Sequence, residues 1–239
     1  MSETTKPTQH NENDSEVQET TQNILDLGSA MTRTPYGNIY CLTIIGQIEG
    51  HSSAPSGTKT TKYEHILPLL AKLEESDEVA GVLFLLNTVG GDVEAGLAIA
   101  ELIAGMTKPN VSIVLGGSHS IGVPLAVAAK QSFAVPSASM TIHPVRVSGT
   151  VIAAPQTYSY FQRLQDRIVA FVSNHSHISA EAFEALMLKK EDMAADVGSV
   201  VYGEEAVRLG IIDRLGGLSD GLKCLYEQIG KRKEDPAEH

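Results

Sequence analysis

The chain has 239 residues, 42% apolar and 20% charged, the composition of a globular protein whose core needs neither metal nor disulfide staples. Its 18 Lys and Arg face 29 Asp and Glu, and the net charge of −11 argues against nucleic acid or anionic lipid as partners. Two cysteines make no disulfide framework and no apolar run approaches the ~20 residues of a membrane helix, so a cytoplasmic protein is expected.

Residues 1–30 carry six acids and one lysine with few aliphatics, too little apolar surface to offset the entropy of ordering, and read as an acidic disordered arm. The folded domain is expected over residues 31–230, and the charged stretch 231–239 (KRKEDPAEH) reads as a disordered tail. Within the domain, Asn38–Ile48 reads as a strand and Glu49–Thr58 as a polar loop. From Thr60 to Glu75, Tyr63, Ile66, Leu67, Leu70 and Leu73 share one helical face, with Pro68 marking a kink or an early stop. Val79–Leu86 is apolar throughout, as a strand buried on both faces should be. A loop Asn87–Asp92, a helix Glu94–Met106, a strand Val111–Leu115, a turn Gly116–Ser120 and a small-residue helix Ile121–Lys130 follow. Short strands are expected at Ser132–Val135 and Ser139–His143, then a Val- and Ala-rich stretch Val145–Ala154. Helices are expected at Gln156–Asn174, after the capping Ser179, and at Gly203–Gly210 and Ser219–Ile229. The alternation predicts an α/β fold with a mostly parallel sheet.

Three features can carry chemistry. Gly90-Gly91 ends a buried strand, and paired glycines let a backbone N–H approach an oxyanion with no Cβ in the way. In Gly116-Gly117-Ser118-His119-Ser120-Ile121-Gly122 a serine stands between strand and helix, where its Oγ can project from a sharp turn beside helix-start N–H groups. Spacing does not choose between a nucleophile and a plain helix cap for Ser118 or Ser120. A hydroxyl nucleophile needs a base, and His143, at a strand end two elements later, is the best placed of eight histidines. His10, His51, His65, His175, His177 and His239 sit in tails, loops or helix joins, and no ligand set at metal spacing accompanies them.

Taken in order, strand–Gly-Gly, Gly-x-x-x-Ser-x-Gly, Ile-His-Pro and Glu-Ala-x-x-x-Gly-Ile-Ile-Asp resemble the Clp protease proteolytic subunit family over about Ile44 to Leu218, closest to its translocation-enhancing branch. The resemblance implies a ClpP/crotonase-like spiral of ββα units with a protruding handle helix. It aligns Ser120 with the nucleophile, His143 with the base, and Gly91 and Ile121 with the oxyanion-hole donors. Asp196 is the implied third member, with Asp192 the alternative. Two departures stand out: Ile121 replaces the usual methionine, and Pro144 follows His143 directly where a glutamine usually intervenes. The implied activity is hydrolysis of peptide bonds in unfolded proteins or peptides by a serine endopeptidase without metal or cofactor, serving quality control or pre-protein translocation. The implied assembly is a homo-oligomeric ring stacked through the handle, Val145–Ala154 with Gln156–Asn174. ATP would act only through a separate AAA+ unfoldase, since the chain has no Gly-x-x-x-x-Gly-Lys-[Ser/Thr]. Rival readings are a non-catalytic ring scaffold assisting translocation, a crotonase-type thioester enzyme that uses only the backbone donors, and a Ser/Lys dyad with Lys189 or Lys190 as base.

Overall fold

The computed structural model describes residues 21–22, 28–146, 153–190 and 197–234. Its centre is a pair of long parallel strands, β2 (Gly37–Glu49) and β4 (Val79–Gly91), in register from Asn38–Val79 to Ile48–Gly91. β1 (Ser29–Thr34) folds back antiparallel on β2, β3 (Thr60–Lys62) pairs with the far end of β2, and β5 (Asn110–Ser118) lies parallel on β4. β6 (Ser132–Ala134) and β9 (Arg214–Leu215) complete the order β1-β2-β4-β5-β6-β9. β7 (Ser139–Ile142) touches the end of β5 at Gly117 and pairs antiparallel with β8 (Ser199–Tyr202). The result is a mixed α/β fold whose main sheet is mostly parallel, as the sequence pattern predicts.

The apolar runs are continuous because both sheet faces are covered. One face, with Ile39, Leu83, Val111, Ile113 and Phe133, packs under Leu225 and Ile229 of α7 (Leu218–Glu234). The opposite face, with Leu42, Ile44, Phe84, Leu86 and Val114, packs against α1 (Tyr63–Glu75), α2 (Val93–Gly105) and α3 (Gly122–Val127). Farther along the chain, α4 (Ala154–Asn174), α5 (Ala180–Met187) and α6 (Gly203–Arg208) extend this larger core through Phe171, Phe183 and Ala206.

Several boundaries differ from the sequence reading. β4 runs on through Asn87–Gly91, because pairing with β2 overrides the turn tendency of Asn and Gly. Likewise β5 continues through Gly116 and Gly117 to Ser118, and α3 stops at Val127. Thr60–Lys62 is a strand rather than the start of α1, and α1 keeps its 13 residues with Pro68 inside. β1 begins at Ser29, inside the stretch assigned to the arm. α7 extends to Glu234, so the tail reading is corrected for Lys231–Glu234: three basic residues suit the last turn, and Lys233 Nζ donates to the Tyr36 carbonyl at 2.9 Å. Of the expected handle stretch Val145–Ala154, residues 147–152 lie outside the described residues, as do Asp192 and Asp196.

Candidate active site

Ser120 sits between the end of β5 and the start of α3 with φ +57°, in the left-handed region that a residue with a Cβ rarely adopts. Neighbouring groups hold it there. Its N–H donates to the Thr141 carbonyl at 2.8 Å, the Gly122 N–H to the His119 carbonyl at 2.8 Å, and the Val123 N–H to the Ser120 carbonyl at 3.0 Å. The Ile121 N–H takes part in none of these bonds among the described residues, while the Ile121 side chain is buried against Gly96 of α2. Ser118 is fully buried and its Oγ donates to the Gly122 carbonyl at 2.6 Å, so it braces the turn and cannot be the nucleophile.

Gly90 fits against this turn only because it lacks a side chain. A Cβ there would lie 2.6 Å from the His119 carbonyl oxygen, 2.8 Å from Ser120 Cβ and 3.4 Å from the Ile121 nitrogen, and its φ of +84° suits glycine alone. Gly91 adjoins Asp92, whose Oδ1 caps α2 by accepting from the Ala95 N–H at 2.8 Å. Ser120, Gly91 and His143 line one cavity of about 210 Å³, together with Val93, Val123, Ile142, Pro144, Val145, Arg146, Ile168, Phe183 and Met187.

His143 reaches the cavity from the end of β7. Its Nδ1 lies 2.7 Å from the Pro144 carbonyl oxygen. A carbonyl only accepts, so Nδ1 carries the hydrogen, which in the neutral ring leaves the lone pair on Nε2, the tautomer that a general base for a hydroxyl requires. Gly198 is packed on the same histidine: a Cβ there would lie 2.9 Å from His143 Cβ.

Two supporting residues, Thr88 and Asn87, were not singled out from the sequence, and a third, His119, was expected there to face away from Ser120. Thr88 is buried in β4. Its Oγ1 donates to the Gly46 carbonyl at 2.6 Å and accepts from the Gly90 N–H at 3.0 Å, and its carbonyl accepts from the His119 N–H at 3.1 Å. Asn87 Oδ1 accepts from the Gly117 N–H at 2.9 Å. His119 faces away from the cavity, where its Nδ1 accepts from the Thr141 N–H at 3.1 Å. Burial pushes its pKa below the usual histidine value. The only sequence signal of Asn87 and Thr88 was their place in the run Asn-Thr-Val-Gly-Gly, which reads equally as a turn.

The remaining candidates have structural duties. Asp213, closing the Glu-Ala…Asp signature, accepts from the Ser132 N–H at 2.8 Å and its hydroxyl at 2.9 Å, and lies 3.3 Å from His177 Nε2. His175 stacks on Phe171 at 4.2 Å. Lys189 and Lys190 are exposed past the end of α5, and neither lines the cavity. Burial raises the thiol pKa of Cys41 and Cys224, which disfavours the reactive thiolate. Among the described residues no cluster of three or more His, Cys, Asp or Glu is placed to hold a metal, and no helix is long and apolar enough to cross a membrane.

A strand–serine–helix turn, a strand-end histidine and Gly91 thus line one small cavity on a mixed α/β fold. The sequence pattern of the Clp protease family matches residues 44–217, and the chain belongs to that family. It is 54% identical over 196 residues to the translocation-enhancing protein TepA of Halalkalibacterium halodurans, covering 82% of this chain and 77% of that protein. It is also 27% identical over 136 residues to the ATP-dependent Clp protease proteolytic subunit 1 of Chlamydia caviae, covering 53% of this chain and 71% of the relative. The corresponding subunit of Protochlamydia amoebophila is 27% identical over 154 residues, covering 63% and 72%.

Proposed function

We propose that the protein is a serine endopeptidase in which Ser120 attacks a peptide carbonyl and His143 Nε2 takes its proton. The observation that carries this is the left-handed Ser120, held at a cavity it shares with His143 and Gly91. Oγ bonds to the carbonyl carbon, the C=O electron pair moves onto oxygen, and the N–H groups of Gly91 and Ile121 receive that oxyanion, each worth on the order of 10²–10³ in rate. His143 then returns the proton to the leaving amine, and water releases the acyl group by the reverse sequence.

Asp196 is the proposed third member. Gly198 lies against His143, and the two Cα–Cα steps from Asp196 to Gly198 can span no more than about 7 Å, whereas the six from Asp192 impose no such limit. In the reactive arrangement the His143 Nδ1–H passes from the Pro144 carbonyl to that carboxylate. A homo-oligomeric ring stacked through α4, served by a separate ATPase, suits family membership and would admit only unfolded chains. The name of the 54% identical relative, a translocation-enhancing protein, supports translocation as the setting.

The test is intact-mass analysis after treatment with a fluorophosphonate. One adduct at Ser120, absent from Ser120→Ala and His143→Ala, supports the reading. An adduct that persists in His143→Ala points to a lysine base, and no adduct in folded, assembled protein favours a scaffold that assists translocation without proteolysis.

A further inference from the structure

Behind the serine turn, the His119 imidazole stands where β5 runs out of backbone partners for β7. β5 ends at Ser118, and its pairing with β7 is the single step Gly117–Ser139, so Thr141 of β7 has no β5 residue opposite it in the ladder. The Ser120 N–H takes the Thr141 carbonyl at 2.8 Å. The Thr141 N–H donates instead to His119 Nδ1 at 3.1 Å, and the Thr141 hydroxyl oxygen lies 2.8 Å from the same nitrogen. A backbone N–H only donates, so Nδ1 is the lone-pair nitrogen of this ring, and the imidazole supplies the acceptor that a continuing strand would have supplied. The ring is itself held in place: the His119 N–H donates to the Thr88 carbonyl at 3.1 Å, and Gly117 leaves it room, since a Cβ there would collide with Nε2. Two consecutive residues, His119 and Ser120, thus grip one residue of β7. His143 follows that residue by two Cα–Cα steps, no more than about 7 Å along the chain, so a shift of Thr141 carries the base with it.

We propose that His119 is a positioning residue whose Nδ1 pins Thr141 against the serine turn and so sets the distance between Ser120 and His143. This rests on the peptidase reading of that site and adds the group that keeps nucleophile and base within reach of each other. His119 does not line the cavity, so it acts through Thr141 and not on a substrate.

Amide side chains tell the two nitrogens of an imidazole apart, because the Asn amide falls near the place of Nδ1 and the Gln amide near that of Nε2. The rate of Ser120 labelling by a small fluorophosphonate is measured in the full-length wild type, His119→Asn, His119→Gln and Thr141→Val, each well below its own melting temperature. His119→Asn should label within about three-fold of the wild type, and His119→Gln about ten- to hundred-fold more slowly, the loss that a misplacement of about 1 Å brings. Thr141→Val keeps the N–H and loses the hydroxyl, so its rate should fall between those two, and adding it to His119→Gln should cost nothing further. Rescue by Asn and not by Gln is a result that a histidine serving only to fill space would not give. A His119→Gln rate equal to or above that of His119→Asn, or additive losses in the double variant, overturns the role of His119 while leaving the peptidase intact. If His119→Gln does not fold, Thr141→Val decides, and wild-type labelling in that variant overturns the proposal. If no adduct forms at Ser120 in the folded wild type, the peptidase reading falls and this proposal falls with it.

Discussion

Ser120 is the residue where local preference and tertiary demand conflict. Its φ of +57° costs about 1–2 kcal/mol for a residue with a Cβ, and the surrounding backbone bonds hold it there. Ser120→Gly and Ser120→Ala should both abolish fluorophosphonate labelling, but only glycine relieves the strain. Thermal melts should therefore place Ser120→Gly above Ser120→Ala. Its neighbour His119 gives a pH signature. Burial lowers its folded pKa, so below the unfolded value of about 6.5 the unfolded chain binds a proton that the native state resists. Stability should fall as pH drops from about 6.5 through the folded pKa, and be insensitive to this group above it. His119→Asn, whose amide oxygen can still accept from Thr141, should flatten that part of a denaturation-versus-pH curve.

At the scale of elements, the end of β4 aligns the site. Asn87 and Thr88 fasten β4 to β5 and to the serine turn, and Gly90 gives that turn room. In Gly90→Ala the new methyl would collide with the His119 carbonyl, so labelling of Ser120 should drop at least ten-fold even in the fraction that folds. Phe183 of α5 is almost fully buried while also lining the cavity. Phe183→Ala should cost about 3–5 kcal/mol in chemical denaturation and widen the cavity toward larger probes. By contrast the Arg167–Glu94 pair between α4 and α2 is exposed on both sides, and Arg167→Gln should cost under about 1 kcal/mol in the same assay.

For the whole molecule, the proposed stacked ring gives a use to the outer surface of α4. Tyr158 is 70% exposed and Tyr160 49% exposed, an unusual placement for aromatic side chains on a helix that is otherwise polar on its outer face. Tyr158→Lys should lower the assembly's mass in native mass spectrometry while leaving the helical circular dichroism unchanged. An unaltered mass would show that this face is not the stacking surface. At the opposite face α7 clasps the β1–β2 hairpin, with Tyr36 stacked on Tyr226 at 4.4 Å and Lys233, from the stretch assigned to a tail, donating to the Tyr36 carbonyl.

The α/β class, the family and the identities of Ser120, His143, Gly91 and Ile121 as candidates were legible in the sequence, because apolar periodicity and the order of short motifs are properties of the chain read along its length. That Ser118 braces the turn was not legible from spacing, which left both serines open until the family resemblance chose Ser120; in the structure Ser118 is buried and Ser120 lines the cavity. Nor was the role of Asp213, whose partner Ser132 is 81 residues away. The extension of β4 through Asn87–Gly91 depended on strands on either side, which supply hydrogen bonds that local turn propensity does not foresee. The tautomer of His143 came from one carbonyl 2.7 Å from Nδ1. Sequence thus determined which residue types and motifs are present, and tertiary structure decided which of them meet, because contact, burial and strain are set by distance in space.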